Sequence, residues 1–198
     1  SGPQASDDRW HHIVFGYYGN NLGAGVANRR DIIIDGHAFT ESFSGFSSQF
    51  ALVELAVGNT VAGGGQNGFE GRMDEVALYD VGSFLAGQGV DIYSQNPASE
   101  AAFAAAVERI AAHASLTGPA YAEAVLGEEP IFYWNFDEAG DLDAAMNTVD
   151  PGNANDMLTP QGAASRTDHE AIGSDLGLGR CADFDGAPGT RFYAPDLA

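Results

Sequence analysis

The chain has 198 residues, of which 28 are acidic against eight arginines and no lysine, giving a formal net charge of −20 at pH 7. A field of that sign repels phosphate backbones and anionic headgroups, so nucleic acid and membrane surfaces are excluded as favoured partners. No apolar run approaches the roughly 20 residues that cross a bilayer, and a single cysteine, Cys181, excludes an internal disulfide and a cysteine-based metal site.

Residues 1–95 alternate short apolar runs with turns, a spacing typical of the strands of a β-sandwich. The run HHIVFGYY predicts a strand that ends at Tyr18. Three isoleucines then lead into Asp35-Gly36, one of the strongest two-residue hairpin signals. Further strands are predicted in FALVELAVG, residues 50–58, and in FEGRMDEVALYD, residues 69–80, whose side chains alternate along one continuous strand.

The hydrophobic period changes at residue 96 and returns to a strand pattern at residue 131. Apolar side chains at helical spacing predict one amphipathic surface helix at about 97–114, followed by a short helical turn between Gly118 and Gly127. IFYWNFDE then predicts a strand whose aromatic side chains fill a core. The segment 158–179 is predicted to be weakly structured, and RCADFDGAPGTRFYAP to form two closing strands.

Four motifs in the first 80 residues resemble the second half of a laminin-G-like domain of the concanavalin A-like lectin/glucanase superfamily. They are Trp10-His11-His12-Ile13, Ile33-Ile34-Asp35-Gly36, Val57-Gly58 and the run from Phe69 to Tyr79. The segments YAEAVLGEEPIFYWNFDEAG, DPGNANDMLTPQG and CADFDGAPGTRFYAP are similar to the opening of the next domain of the same kind. The resemblance implies an all-β, antiparallel jelly-roll sandwich.

In this interpretation the chain is the back half of one unit followed by the front half of another. The expected divisions are a C-terminal half at 1–95, a helical linker at 96–130 and an N-terminal half at 131–198. Three arrangements stay open: the halves close on each other as one permuted sandwich, neighbouring copies complete the missing strands, or the chain is a fragment of a longer repeat protein. Uncovered sheet edges and apolar faces favour the partner-completed state slightly.

A catalytic site is not expected. Glucanases with this fold place two or three carboxylates at a spacing of two residues along one strand, whereas Glu70 and Asp74 are four apart and Glu75 faces the opposite side. Asp74 and Glu75 are instead interpreted as structural hydrogen-bonding residues. The adjacent His11 and His12 point to opposite faces of a strand, so they cannot share a metal ion.

Calcium is the predicted cofactor. The loop 137–156 is rich in carboxylate and amide side chains, and Ca²⁺ takes six to eight oxygen ligands from flexible loops. The resemblance implies the same, because laminin-G-like domains often bind calcium in loops. The alternative is that Asp and Asn simply form turns there. The candidate ligands are Asp137, Asp141, Asp150, Asn153, Asn155 and Asp156.

Two functions from different classes are compatible with these features. The first is a non-catalytic module that binds carbohydrate or a surface polymer through aromatic and amide side chains; the candidates are Tyr17, Tyr18, Asn20, Asn21 and Asn67. The second is a structural repeat of an assembly such as a filament, surface layer or virion, with self-association or neighbouring repeats as partners. Both predict an extracellular or surface-exposed protein.

Overall fold

The computed structural model describes residues 9–18, 28–43, 55–59, 68–91, 97–168 and 179–195. These residues form several antiparallel sheets and three short α-helices, so the predicted β-rich class is confirmed. The chain divides into two compact units. Unit 1 comprises Ser1–Phe50, Asp80–Leu116 and Glu123–Glu129, and unit 2 comprises Ala51–Tyr79, Thr117–Ala122 and Pro130–Ala198.

Unit 1 contains an antiparallel sheet of three strands in the order β1 (Ile13–Tyr18), β2 (Asn28–Ile34) and β3 (His37–Phe43). Asp35 and Gly36 join β2 to β3 with φ angles of +49° and +77°, as a tight hairpin with left-handed central residues requires. Asp35 also holds β1, because its Oδ1 accepts a hydrogen bond of 2.9 Å from the backbone N–H of His12. The predicted strand and hairpin are both confirmed.

Two helices of unit 1 build its core. These are α1 (Val81–Gly87) and α2 (Pro97–Ala111), the latter continued by a 3₁₀ turn at Ala112–Ser115. The apolar stripe of α2 packs with Ile33 of the sheet, and a Cβ placed on Gly16 would lie only 3.0 Å from Val107 Cγ2. One face of the sheet is therefore covered by α2, and the predicted amphipathic helix is confirmed.

A third helix, α3 (Pro119–Gly127), confirms the helical turn expected between Gly118 and Gly127. Its residues 123–127 belong to unit 1 and its first four residues to unit 2.

Unit 2 is built from short strands in three sheets, with the orders β5-β10-β9, β4-β11-β8 and β6-β7. The strands are β4 (Leu55–Val57), β5 (Glu70–Met73), β6 (Val76–Leu78), β7 (Phe132–Trp134), β8 (Thr159–Gln161), β9 (Ser165–Asp168), β10 (Arg180–Asp185) and β11 (Arg191–Ala194). In each sheet a strand from residues 55–78 pairs with one from residues 132–194. Strands from the two segments interpreted as separate half-domains thus bond directly to each other.

The core of unit 2 is aromatic. Trp134, Phe136 and Phe192 are fully buried, and the ring centroids of Phe136 and Phe192 lie 5.2 Å apart in an edge-to-face arrangement. Phe132 stacks on Trp134 with a centroid distance of 5.4 Å, and the indole N–H of Trp134 donates a 2.8 Å hydrogen bond to the carbonyl oxygen of Asp156. The predicted core role of Phe132, Trp134 and Phe136 is confirmed.

The structure corrects two details of the strand prediction. The run 69–80 is interrupted at Asp74 and Glu75, where Glu75 adopts a left-handed φ of +56°, and β5 and β6 consequently join different sheets. The segment predicted to be weakly structured contains β8 and β9. The two predicted closing strands are confirmed as β10 and β11, which lie in different sheets.

The division into units differs from the boundaries expected at residues 95 and 130. Residues 51–79 group with residues 130–198, and α2 is an integral part of unit 1 rather than a linker. The reason is that α2 packs on the apolar face of the β1–β3 sheet, whereas β4 to β6 find their hydrogen-bonding partners in unit 2.

Candidate functional site

The sheet of unit 1 exposes large apolar side chains on the face opposite α2. Ile13 is 55% exposed, Phe15 63%, Ile32 40% and Phe39 39%. The strand register places Phe15 beside Ile32 and Ile32 beside Phe39, so these three form one row across the sheet. We call Ile13, Phe15, Ile32 and Phe39 the open face.

The position of the open face follows from strand alternation. Val14 and Ile33 point toward α2 and belong to the core of unit 1, which directs their neighbours Ile13, Phe15 and Ile32 to the other side. Singly exposed apolar residues are ordinary on a protein surface, but a contiguous apolar patch on a sheet is typical of an interaction site. The open face is therefore the strongest candidate for a functional surface in the described part of the chain.

Only one of the predicted sugar-binding residues has a described side chain. Tyr17 lies near the end of β1, is half-buried, and by alternation shares the face of Ile13 and Phe15. Tyr18 is described as part of β1 but its side chain is not, and Asn20, Asn21 and Asn67 lie outside the described residues. The described residues therefore do not test a sugar site built from all five candidate residues, and that site stays a prediction.

The predicted calcium ligands divide into two groups, and the first surrounds an arginine. Asp137 Oδ1 accepts a 2.8 Å hydrogen bond from the backbone N–H of Arg180, and Asp141 forms an ion pair with the Arg180 guanidinium. The guanidinium also donates to the carbonyl oxygens of Glu138 and Ala139, at 3.1 and 2.6 Å. A cationic side chain therefore already balances the acidic charge at this end of the loop.

The second group surrounds the buried carboxylate of Asp156. Its Oδ2 accepts hydrogen bonds from the side-chain amides of Asn153 and Asn147, at 2.9 and 3.4 Å, while its Oδ1 is buried without a hydrogen-bond partner. The amide oxygen of Asn147 accepts from the backbone N–H groups of Tyr133 and Val149, and that of Asn153 accepts from Asn155. Oδ2 of Asp156 is thus held by two side-chain N–H donors.

This arrangement does not match the oxygen-rich shell that Ca²⁺ requires. The amide oxygens of Asn147 and Asn153 accept hydrogen bonds from backbone N–H groups, and the backbone carbonyl of the exposed Asp150 accepts one from Asn153 N–H at 3.2 Å. Within the described residues, no group of three or more His, Cys, Asp or Glu side chains is arranged to hold a metal ion. Calcium binding stays a prediction, and the geometry favours a structural role for this network.

A half-buried carboxyl cluster lies at the break between β5 and β6. Asp74 Oδ1 accepts a 2.9 Å hydrogen bond from the backbone N–H of Glu75, and the Tyr133 hydroxyl donates to Glu75 Oε2. Burial, with the negative charge of Glu75, raises the pKa of Asp74 to about 9. Burial also raises the pKa of Glu75 to about 7, although the Tyr133 hydrogen bond opposes the shift.

The cluster can exchange protons near neutral pH, but its hydrogen bonds connect separate strands, which indicates a structural role. Glu75 connects the β5–β6 break to β7 through Tyr133, and burial raises the pKa of the Tyr133 hydroxyl so that it remains a donor. This agrees with the structural interpretation of Asp74 and Glu75. The raised pKa values were not foreseen; the available signal was an acidic pair set between the apolar Met73 and Val76.

One buried cation was missed by the sequence interpretation. The Arg166 side chain is fully buried; its guanidinium pairs with Glu138 Oε2 at 2.8 Å and donates to the carbonyl oxygens of Asp143 and Gly140 at 2.6 and 3.0 Å. It also lies over the Phe192 ring, 5.4 Å from the centroid. Arg166 therefore fastens the loop at 138–143 to β9, a tertiary role that the sequence around it does not signal.

Comparisons with protein-family models, with curated proteins and with solved structures give no match to this chain. The laminin-G-like resemblance therefore stays a prediction carried by its motifs alone. Among the described helices, none combines the length and apolar character needed to cross a membrane.

Proposed function

We propose that this chain is a non-catalytic structural module of an extracellular or surface-exposed assembly, in which unit 1 is completed by an apolar partner. The observation that supports the proposal most strongly is the open face. A three-stranded sheet with one face on a helix and four large apolar side chains on the other has the composition of a sandwich layer without its second sheet.

A partner that covers the open face would remove its apolar side chains from water. Full burial of a large apolar side chain contributes roughly 1.5–3 kcal/mol, so covering four half-exposed side chains is favourable by about 1 kcal/mol each. This free energy is available to any partner that fits the face. It does not require catalytic groups, in keeping with the missing carboxylate spacing at Glu70, Asp74 and Glu75.

The proposal is tested by the affinity of the open face for an apolar probe. At about 1 μM protein, a dye that fluoresces on apolar surfaces should bind the wild type, and Phe15→Asp should remove most of that signal. Leu142→Asp is the matched control, because Leu142 is 73% exposed and lies in unit 2. Equal dye signals from the wild type and Phe15→Asp, with both folded, would contradict the proposal.

Carbohydrate or surface-polymer binding is the second candidate function, and the exposed aromatic rings of the open face favour it. Phe15 and Phe39 present rings on either side of Ile32, and sugar rings pack their apolar faces on such surfaces. A glycan array with and without chelator tests this function. Binding that disappears in Phe15→Ala but persists in Leu142→Ala would support it, and silence in both conditions would count against it.

A further inference from the structure

We infer that the partner of the open face is the same face of a second copy, so that two three-stranded sheets form one isologous sandwich. This inference rests on the proposed function, because it names the occupant of the surface described there. Antiparallel sheets of the same twist pack face to face at a spacing of about 10 Å, with their inner side chains interdigitated. A second copy supplies such a sheet without any further component.

The row across the sheet has the symmetry that this pairing requires. Ile32 is on the central strand, with Phe15 on one side and Phe39 on the other, each about 4.8 Å away in the direction across the strands. A two-fold axis in the plane of the face, along β2 and through Ile32, brings Phe15 of each copy onto Phe39 of the other. The same axis brings Ile32 against Ile32. An isologous contact needs such a self-complementary patch.

The distribution of charge also favours a second copy at this surface. Residues 9–43, which include all three strands, hold three arginines and three acidic residues, so their net formal charge is zero. The rest of the chain therefore carries the whole net charge of −20. Two copies repel each other at most surfaces, and repulsion is weakest where the segment that forms the open face is presented.

The small area of the face sets the strength of the pairing. Three strands at about 4.8 Å and six residues at about 3.4 Å give a face of roughly 14 by 20 Å, or about 300 Å². Stable interfaces bury about 800 Å² on each partner, so an isolated pair should be weak, with a Kd in the micromolar to millimolar range. Such a contact becomes effective when copies are held close together, as in an assembly.

A sugar polymer fits the open face less well than a second sheet does. Carbohydrate recognition combines apolar stacking with several hydrogen-bonding side chains at fixed positions. Ile13, Phe15, Ile32 and Phe39 carry no polar side-chain atom, and the polar groups of Tyr17 and His37 flank them on the same side of the sheet, so the centre of the face offers apolar contact. A second apolar sheet can pack on this face through apolar contact alone, without hydrogen-bonding side chains.

Cysteine cross-linking at the centre of the face tests the inference directly. Ile32→Cys should form a covalent dimer with a short bis-maleimide at about 200 μM protein, because the pairing puts the two thiols within reach of such a linker across sheets about 10 Å apart. Leu142→Cys is the matched control on unit 2 and should remain mostly monomeric. Adding Phe15→Asp to Ile32→Cys should reduce the dimer at least tenfold, and Leu142→Asp added instead should leave it unchanged. The native Cys181 is buried, so it does not interfere.

Sedimentation velocity gives an independent measurement without any new thiol. The mean mass of the wild type should rise with concentration from about 5 to about 500 μM, whereas Ile32→Asp should stay monomeric throughout. Circular dichroism establishes that each variant is folded; if an aspartate variant fails to fold, the Ile32→Cys result decides.

Maleimide labelling of monomeric Ile32→Cys distinguishes failure of this inference from failure of the proposed function. Rapid labelling without a cross-linked dimer would overturn the second-copy inference but leave the face open to another partner. Labelling as slow as that of the buried Cys181 would show that the chain covers the face itself. That result would overturn both the second-copy inference and the proposed function.

Discussion

At the scale of single residues, the carboxyl cluster of Asp74 and Glu75 should make the free energy of unfolding depend on pH. Asp74 and Glu75 hold their protons in the folded state up to a pKa of about 9 and about 7, compared with ordinary values of 3.8 and 4.5. At a pH between the ordinary and the raised pKa of each group, the carboxyl group is ionised in the unfolded chain and still protonated in the folded one. The folded state therefore binds more protons, and stability falls as the pH rises.

The Glu75 contribution predicts a difference between the wild type and Glu75→Gln. From pH 4.5 to about 7 the wild type should lose stability relative to the variant, by at most about 1.4 kcal/mol per pH unit, because only the carboxyl group titrates. Above pH 7 the difference should change less steeply and become constant near pH 9, because the charge of Glu75 also contributes to the raised pKa of Asp74. The measurement is urea unfolding at fixed pH, followed by tryptophan fluorescence.

Glu123→Gln is the control for this experiment, since Glu123 is exposed on α3. A pH profile for Glu75→Gln that runs parallel to the wild type would refute the assignment of the effect to Glu75.

The Asp156 network predicts a large loss of stability from one truncation. Asp156→Ala should cost roughly 2–3 kcal/mol, because the amide groups of Asn147 and Asn153 would lose their buried acceptor. Asp150→Ala in the same loop should cost less than about 0.5 kcal/mol, since Asp150 is exposed. Thermal unfolding measures both; similar losses from the two would contradict the network.

Comparison of the wild type with Asp156→Ala also tests whether the loop binds calcium. The N–H groups around Asp156 predict that adding calcium or chelator leaves the unfolding temperature unchanged. A rise with calcium in the wild type that Asp156→Ala abolishes would instead support the metal site predicted from the loop composition.

At the scale of elements, the contact between α2 and the sheet depends on a missing side chain. Gly16→Ala would place a methyl group 3.0 Å from Val107 Cγ2 and 3.3 Å from Phe103 Cζ, within a closely packed core. Such overpacking typically costs about 1–3 kcal/mol. Gly87→Ala, where a Cβ meets nothing within 4 Å, should be neutral or slightly stabilising. Denaturant unfolding of both variants measures the difference; equal stabilities would disprove this packing.

Local sequence signals predicted the helices and most strands, but they could not predict which distant strands pair with each other. Asp35-Gly36 fixed a hairpin and the apolar stripe from Phe103 fixed α2, because both depend on neighbours within a few residues. The break at Asp74-Glu75 was missed, because alternation continues through it and the left-handed Glu75 leaves no mark in the sequence. Strands β8 and β9 form only because β11 and β10 lie beside them.

The candidate site could be predicted only in part for a similar reason. The strand HHIVFGYY is apolar on both faces, and nothing in it shows whether Val14 or Phe15 is covered. That choice is made by α2, about 90 residues further along the chain, which packs on the side of Gly16. The expectation of an uncovered apolar face was available from the sequence, but its residues were not.

At the scale of the whole molecule, the net charge of −20 opposes both folding and association. Raising the ionic strength from about 0.1 M to about 1 M shortens the Debye length from about 10 Å to about 3 Å and screens this repulsion. The unfolding temperature should therefore rise with NaCl, by about 2–4 °C for each kcal/mol gained. The increase should shrink near pH 4.1, the pI of the sequence, because the net charge vanishes there.

Salt should also strengthen the pairing of the open faces, and the two effects can be separated. Phe15→Asp removes an apolar contact and adds one charge to a total of −20, so its unfolding temperature should respond to salt as that of the wild type does. Its mass by sedimentation should not respond, because the face can no longer pair. If the wild-type mass rises with salt and Phe15→Asp follows it equally, association occurs elsewhere on the molecule and the role given to the open face is wrong.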